Sequence, residues 1–405
     1  MNGNEVIMAL HSEEGASATE DDDAVSAAHG ILPLLRDTAD SSEMLRKVDD
    51  RAVAAMRDAG FARLLTPREY GGLERPPSAQ IRTCMIAATA CSAASWVHMV
   101  CGAHTFVVAR FPKPCRDEVF AGDPDVLLPG TLAPQGRVSR ADGGWILNGR
   151  WQFGSGVDHG PWLLLGAMGE KGPDGRRSPP VHVVVPKSDV VVDDTWFTLG
   201  MRGTGSKDLV ADEVFVPDHR AMQTLALFNG TFEEKLSPLY HLPVMGSLAS
   251  MLAGTVLGVA EAGLARFVEA TAVRRDVYAG DAKAAKAGVQ MRVAEAEGEL
   301  RSARHCVEQN CGILDAAMRD NRPPLELSLR VQLRWNAAYA VELCRRAAER
   351  IFAVSGAHAV YDGHPLQKLH RDINTASHHA IVDFDSVAEL KGKLELGLAD
   401  EIGLV

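Results

Sequence analysis

The chain has 405 residues, 46% of them hydrophobic and 23% charged, and a net charge of −11 at neutral pH. That length holds two or three domains with a substantial buried core, and the composition is ordinary for a globular protein in water. An acidic excess with no offsetting basic patch argues against nucleic acid or an anionic membrane as partner.

Residues 1–23 are small, acidic and aperiodic and read as a disordered tail. No basic and apolar leader of the signal-peptide kind is visible. From Ala24 to Gly60 the apolar residues Ile31, Leu34 and Leu35, then Val48, Val53 and Met56, recur at helical spacing and predict two helices. After a turn at Pro67 to Gly72, a long Ala-rich helix is expected over Ser78–Val97. Another is expected over Val100–Phe111, ended by Pro112 and Pro114. Residues 24–125 therefore form an N-terminal α-helical domain.

The texture changes at Val126. Apolar or alternating segments at Trp145–Leu147, Trp151–Phe153, Trp162–Ala167, Val181–Val185, Val190–Val192 and Leu209–Val216 alternate with Gly, Asp and Pro turns. Ala141-Asp142-Gly143-Gly144 is a hairpin signal, and residues 126–220 read as an antiparallel barrel or sandwich. Beyond that, Leu242–Val268, a segment spaced Val293, Ala296, Leu300, Ala303, Val307, Cys311, Leu314, then Glu326–Val354 and a stretch from Lys368 predict four helices. Short connections make residues 221–405 a C-terminal four-helix bundle. The apolar run Leu242–Ala260 is near membrane-spanning length but reads as a helix buried on all sides. The fold class is α+β. Seven cysteines without paired spacing read as buried free thiols in a reducing cytoplasm, with no metal site.

Two stretches in the β-region carry chemistry. Trp151–Trp162 reads WQFGSGVDHGPW and Met201–Asp208 reads MRGTGSKD. Aromatic faces beside Gly-Ser turns, between two helical blocks, suit a planar, π-rich cofactor. Neither stretch matches a dinucleotide fingerprint or a P-loop.

Three places together resemble the acyl-CoA dehydrogenase fold across nearly the whole chain after residue 24. They are Trp151-Gln152-Phe153-Gly154-Ser155-Gly156, then Gly200–Ser206 followed by Asp212–Pro217, and Gly356–Asp372 ending in His370-Arg371-Asp372. One dehydrogenase branch carries its proton-abstracting Glu soon after the Arg-Asp pair. Here that place reads Thr375-Ala376-Ser377-His378-His379-Ala380, with no carboxylate before Asp383. The His pair resembles instead the flavin-dependent monooxygenases of this fold, such as the oxygenase components of p-hydroxyphenylacetate, steroid-phenol and indole hydroxylases. The resemblance implies reduced FAD or FMN from a separate flavin reductase, molecular oxygen, a C4a-hydroperoxyflavin and a small aromatic or heteroaromatic substrate. It also implies a homotetramer packed through its bundles. Alternatives are an FAD desaturase with a relocated base and an N-oxygenase acting on an amino sugar.

The same resemblance implies roles for residues. Ser155 is expected near flavin N5 and Trp151 over a ring face, with Gly156, Met201 and Gly203 in the surrounding loops and Thr204 and Ser206 as hydroxyl donors. Arg275 and Arg371 are expected at flavin phosphates or a neighbouring subunit, and Ser355 and Gly356 at the flavin tail of an adjacent chain. His379 is the favoured acid–base group, since His378 projects about 100° away on a helix. His104 is the substrate-side His. Thr131, Trp96, Ser247 and Met251 are candidates for the substrate wall, and His159 ranks below the other histidines. Taken alone, a Gly-Ser-Gly turn or a His on an apolar helix is more often structural than functional.

Overall fold

A computed structural model of the chain describes residues 21–170, 178–230, 232, 234–275, 280–321 and 324–398. Most of the expected acidic tail lies outside the described residues, and helix α1 begins at Asp21.

Six helices form the N-terminal part: α1 (Asp21–Asp37), α2 (Ala39–Leu45), α3 (Asp50–Asp58), α4 (Pro77–Ala88), α5 (Ser92–Val108) and α6 (Lys113–Phe120). Three helices therefore stand where two were expected before Gly60. The third starts where the Asp49 carboxylate accepts Arg51 N at 2.9 Å, an N-cap. The break between α4 and α5 falls at residues 89–91, well before the expected Val97. There the Thr89 hydroxyl donates to Ile86 O at 2.7 Å and competes with the helical ladder. Pro112 and Pro114 do not merely end α5. Pro112 is the N-cap of α6 and Pro114 lies in its first turn, where a missing N–H costs nothing. Every residue of α5 except Val100 is buried, so this helix is the spine of the molecule.

One seven-stranded sheet follows: β1 (Gly130–Ala141), β2 (Gly144–Gly154), β3 (Trp162–Gly169), β4 (Val181–Pro186), β5 (Val191–Asp193), β6 (Lys207–Pro217) and β7 (Ala221–Gln223). The order is β5-β6-β2-β1-β3-β4-β7. The expected hairpin joins β1 to β2 with Ala141 opposite Gly144. The sheet is not purely antiparallel, because β1 and β3 are parallel neighbours. After β2 the chain turns through residues 155–161 around the start of β1, where Ser155 bridges Gly130 and Leu164 N donates to Pro129 O. The two apolar pieces expected at Trp145–Leu147 and Trp151–Phe153 are one strand whose register with β6 slips twice.

The C-terminal part holds α7 (Thr224–Asn229), α8 (Val244–Val273), α9 (Ala287–Arg319), α10 (Leu327–Ala353), α11 (Pro365–Ser377) and α12 (Phe384–Glu395). α8 is long and apolar enough to cross a membrane by composition, and 94% of its most apolar window is packed inside the protein. Inside the bundle Asn310 Nδ2 donates to Ser250 Oγ and Leu333 O, both at 2.8 Å, pinning three helices in register. The fourth helix is not continuous. It breaks between Ser377 and Phe384, where His379 caps the 3₁₀ turn Ala380–Val382 and Asp383 caps α12.

Three histidines are enclosed in this framework. His98 meets Thr83 Oγ1 at 2.9 Å, His104 meets Leu128 O at 2.8 Å and His182 meets Leu132 O at 3.0 Å. Burial pulls His98 down to about 3 and the other two to about 4. In the unfolded chain each titrates near 6.5, so only that state takes up protons as the pH falls through this value. Their contribution is therefore complete above the unfolded pKa and is lost toward pH 4. By about pH 5.5 each should cost about 1 kcal/mol of stability relative to neutrality. Urea unfolding should register a loss of about 3–4 kcal/mol per chain over that step. An unchanged midpoint would mean that these rings are not held neutral.

Candidate active site

The geometry begins with β2. Strand alternation places Trp151 and Phe153 on one face, but Phe153 has φ +68 and swings out of the pattern. Trp151 is fully buried in the β-core, and its Nε1 donates to Gly166 O at 2.6 Å. A Cβ built on Gly136 would sit 1.9 Å from its ring. Trp151 therefore has no free face, which corrects the expectation that it covers a flavin ring. The open aromatic surface belongs to Phe153, 59% exposed and edge-on to Trp196 at 6.1 Å. Sequence periodicity missed it, since the backbone reversal at residue 153 leaves no pattern to read.

Beyond that reversal, Ser155 is delivered to the spine helix. Its Oγ accepts from Trp96 Nε1 at 3.2 Å and lies 2.7 Å from Ser206 Oγ, which lies 2.7 Å from Thr204 Oγ1. Gly156 donates its N–H to Thr204 O at 3.0 Å and has φ +74, and a Cβ there would come 2.8 Å from Val97. Only glycine brings the turn this close to α5. Gly203 approaches Ala93 and Ser42 O in the same way, so its Cα faces α5 and α2. Thr204 Oγ1 donates to Met201 O at 2.9 Å, so its proton is not free for a cofactor as expected.

The histidines approach from two helices. His104, on α5, has Nδ1 against the Leu128 carbonyl. A carbonyl only accepts, so Nδ1 carries the hydrogen and Nε2 is left as an acceptor. His379 sits in the joint of the broken fourth helix, with Nδ1 accepting Ile381 N at 3.2 Å, so its Nε2 carries the hydrogen. Its ring meets Trp96 edge-on at 5.8 Å. His379 is an exposed residue, and the protein packed around its ring pulls it down to about 4. Charge on His379 would further lower His104. Trp96, which touches both His379 and Ser155, stands about two turns before His104 on α5. His378 C-caps α11 and is likewise exposed. His159 faces Asp50 at 3.7 Å and has an unpartnered Nε2.

The other expected residues divide. Met201, itself at φ +53, gives its N–H to Asp372 Oδ1 at 2.6 Å. Arg371 is occupied: it donates to Gln367 and Leu199 O and pairs with Glu43. It anchors the loop before Met201, with each of its three nitrogens engaged inside the chain. Arg275, Ser355 and Gly356 lie at the far end of α8 from Met251, roughly 33 Å of helix away. There Arg274 Nη1 donates to Ser355 O at 2.7 Å, and a Cβ on Gly356 would lie 3.3 Å from Lys283 Nζ. Thr131 adjoins Gly130, the partner of Ser155, and its Oγ1 faces Ala133 N at 3.4 Å. Ser247 and Met251 are fully buried on α8, and Ser247 Oγ has no hydrogen-bond partner.

This architecture and this cluster define a flavoenzyme built on the acyl-CoA dehydrogenase plan. Residues 250–384 match the family described as acyl-CoA dehydrogenase, C-terminal domain. Over 373 residues, covering 91% of this chain and 97% of the relative, the chain is 32% identical to HsaA of Rhodococcus jostii, a flavin-dependent monooxygenase oxygenase subunit. It is 30% identical, over 92% of this chain and 94% of the relative, to the oxygenase component of an FADH2-dependent resorcinol hydroxylase from a Rhizobium species. The solved structure of XiaF from a Streptomyces species, in complex with FADH2 and glycerol, superposes with a TM-score of 0.89. That pair shares 28% identity and covers 95% of this chain and 98% of the other. The chain belongs to the flavin-dependent monooxygenases, as an oxygenase component, and the desaturase reading gives way to this one.

Asp372 offers a test of the scaffold. Asp372→Ala should leave Lys368 buried without its main partner and cost about 3 kcal/mol. Thermal and urea denaturation would read this, and a loss under about 1 kcal/mol would remove Asp372 as the tie between loop and helices.

Proposed function

We propose that this oxygenase hydroxylates a small electron-rich ring, a phenol or an indole, with molecular oxygen and reduced FAD or FMN delivered by a separate reductase. Its relatives are named for action on resorcinol, p-hydroxyphenylacetate and indole-3-acetate. The observation that carries the proposal is the pair of histidines held in opposite tautomers, with the His379 ring against Trp96 and Trp96 on Ser155.

A reduced isoalloxazine fits the residues present. Ser155 offers a hydroxyl oxygen at the end of a buried polar chain, and Phe153 an open aromatic face. When bound, reduced flavin supplies the electrons that activate oxygen and allow one oxygen atom to reach the ring. The protein supplies the rest. His104 Nε2 accepts from the ring hydroxyl or N–H and draws electron density toward the carbon to be oxidised. Burial holds His104 to about 4. A phenol near pKa 10 would surrender its proton fully only at about 8 kcal/mol. His104 therefore acts through a hydrogen bond, not as a standing imidazolium. His379 presents Nε2–H as the complementary donor. Trp96, Ser155 and His104 are each under a tenth exposed, which keeps water from the reacting atoms.

Thr131, Ser247 and Met251 we assign to the substrate wall, with the orphan Ser247 hydroxyl available to a polar ring substituent. Arg275, Ser355 and Gly356 we assign to the flavin tail of an adjacent copy in a cytoplasmic homotetramer. The cations gathered around the bare backbone at Gly356 support that assignment. The chain's working division is an N-terminal helical domain to residue 125, a β-domain to 220 and a bundle beyond.

The test is to feed the protein with reduced flavin, oxygen and a panel of phenols and indoles, and to measure hydroxylated ring against hydrogen peroxide. His104→Ala should lower product about 100- to 1000-fold while flavin is still oxidised, the balance appearing as peroxide. Unchanged product would exclude His104, and no product from any ring would exclude the proposed reaction. With His104 and His379 both near 4, the yield should stay level from about pH 8 to pH 5.5 and fall below that as the rings protonate. A fall centred near 6.5 would contradict the neutral assignment.

A further inference from the structure

The hydroxyl chain at Ser155 has a direction, and proton counting fixes it. Thr204 Oγ1 lies 2.9 Å from Met201 O, and a carbonyl cannot donate, so the single Thr204 proton is spent there. At 2.7 Å from Ser206 Oγ, Thr204 must then accept, which spends the Ser206 proton. Ser206 in turn must accept from Ser155 at 2.7 Å, which spends the Ser155 proton. Trp96 Nε1 is a donor only and fills one Ser155 lone pair at 3.2 Å. What Ser155 has left is one lone pair and no hydrogen. All three hydroxyl residues are 5% exposed or less, so water is poorly placed to relax the order.

We propose that Thr204 and Ser206 are positioning residues that lock Ser155 as a hydrogen-bond acceptor and so make the site select reduced over oxidised flavin. The inference rests on the reading that Ser155 faces flavin N5. In reduced flavin N5 carries a hydrogen and can donate; in oxidised flavin N5 carries only a lone pair, which would confront the Ser155 lone pair. The hydroxyl chain thus favours the cofactor state that reacts with oxygen and disfavours the spent one. Met201 O, the sink at the end of the chain, is held by two further donors, Thr204 N and Trp196 Nε1, both at 3.1 Å. The polarity is therefore set by backbone geometry about a residue at positive φ and not by solvent.

The test is binding, read apart from turnover. Dissociation constants for oxidised FAD and FMN are measured by fluorescence quenching, and those for the dithionite-reduced flavins by anaerobic calorimetry, with melting temperature as a folding check. Ser206→Ala removes the acceptor of the Ser155 proton, and Thr204→Val removes the acceptor of the Ser206 proton. Either change frees Ser155 to donate. In each the ratio of oxidised to reduced dissociation constants should fall about tenfold or more, the scale of one hydrogen bond reversed. Thr204→Ser keeps the hydroxyl and should keep the wild-type ratio, which separates polarity from packing. A folded Ser206→Ala and Thr204→Val that retain the wild-type ratio, while Ser155→Ala loses it, would overturn the lock and leave Ser155 at the flavin. A wild-type ratio in Ser155→Ala itself would overturn the placement of Ser155, and the lock with it.

Discussion

One buried carboxylate joins the parts of this molecule. Asp372 takes Met201 N at 2.6 Å on one oxygen and Ser92 Oγ and Lys368 Nζ, both at 2.6 Å, on the other. A carboxylate 1% exposed is tolerable only when its oxygens are satisfied and its charge is met. Here the satisfaction comes from three places at once: the N-terminus of the spine helix α5, the loop that opens at Met201, and α11 itself. Burial alone would lower the Lys368 ammonium, yet Asp372 holds it above its ordinary value. Lys368 also reaches Glu43 at 3.3 Å, and Glu43 takes Arg371. N-terminal helices, β-domain loop and C-terminal helices are thereby fixed at one point, a single helical turn of α5 away from Trp96. The polar chain that ends at Ser155 starts from the loop this carboxylate holds.

The order of helices, strands and helices was legible, because hydrophobic period switches from helical spacing to alternation and back. The bounds failed where a side chain or a proline decided them: the Thr89 hydroxyl broke a continuous apolar run, and Pro112 with Pro114 opened a helix as well as closing one. In the site, the expectations for Ser155, His104 and His379 came from resemblance and not from pattern. Trp151 misled because an aromatic in a strand looks the same facing a ligand or a core. Only the backbone reversal at Phe153 tells the two apart, and positive φ at a non-glycine residue leaves no mark in sequence. The partner of Arg371 was hidden for a related reason. An arginine's partner lies wherever the fold brings a carboxylate, and Glu43 is 328 positions away.

The break in the fourth helix has a chemical consequence that length and period do not disclose. A continuous helix through residues 375–385 would spend each backbone N–H on a carbonyl four residues back and leave His379 one of many side chains on its surface. The break frees Ile381 N, and His379 Nδ1 accepts it. That one bond caps the following turn, fixes the imidazole tautomer and aims Nε2–H away from the cap. The same residue is thus structural through one nitrogen and available for chemistry through the other. His104 shows the mirror arrangement, with Leu128 O holding Nδ1–H and leaving Nε2 as acceptor.

Neutrality is what makes the two rings complementary. Were either protonated, both its nitrogens would donate, and the cluster beside Ser155 would hold two donors and no base. Desolvation by the protein around each ring prevents this at neutral pH by placing both near 4, and charge on His379 would lower His104 further. A carboxylate in the place of the dehydrogenase Glu would reverse that balance. It would stabilise a charged imidazolium on His104, remove its accepting nitrogen and bring a hydrated anion into a dry site. Thr375 to Ala380 supplies none. On the function proposed above, the absence of a carboxylate there and the two tautomer-locked histidines serve one end, withdrawing a proton from a ring substituent instead of from carbon.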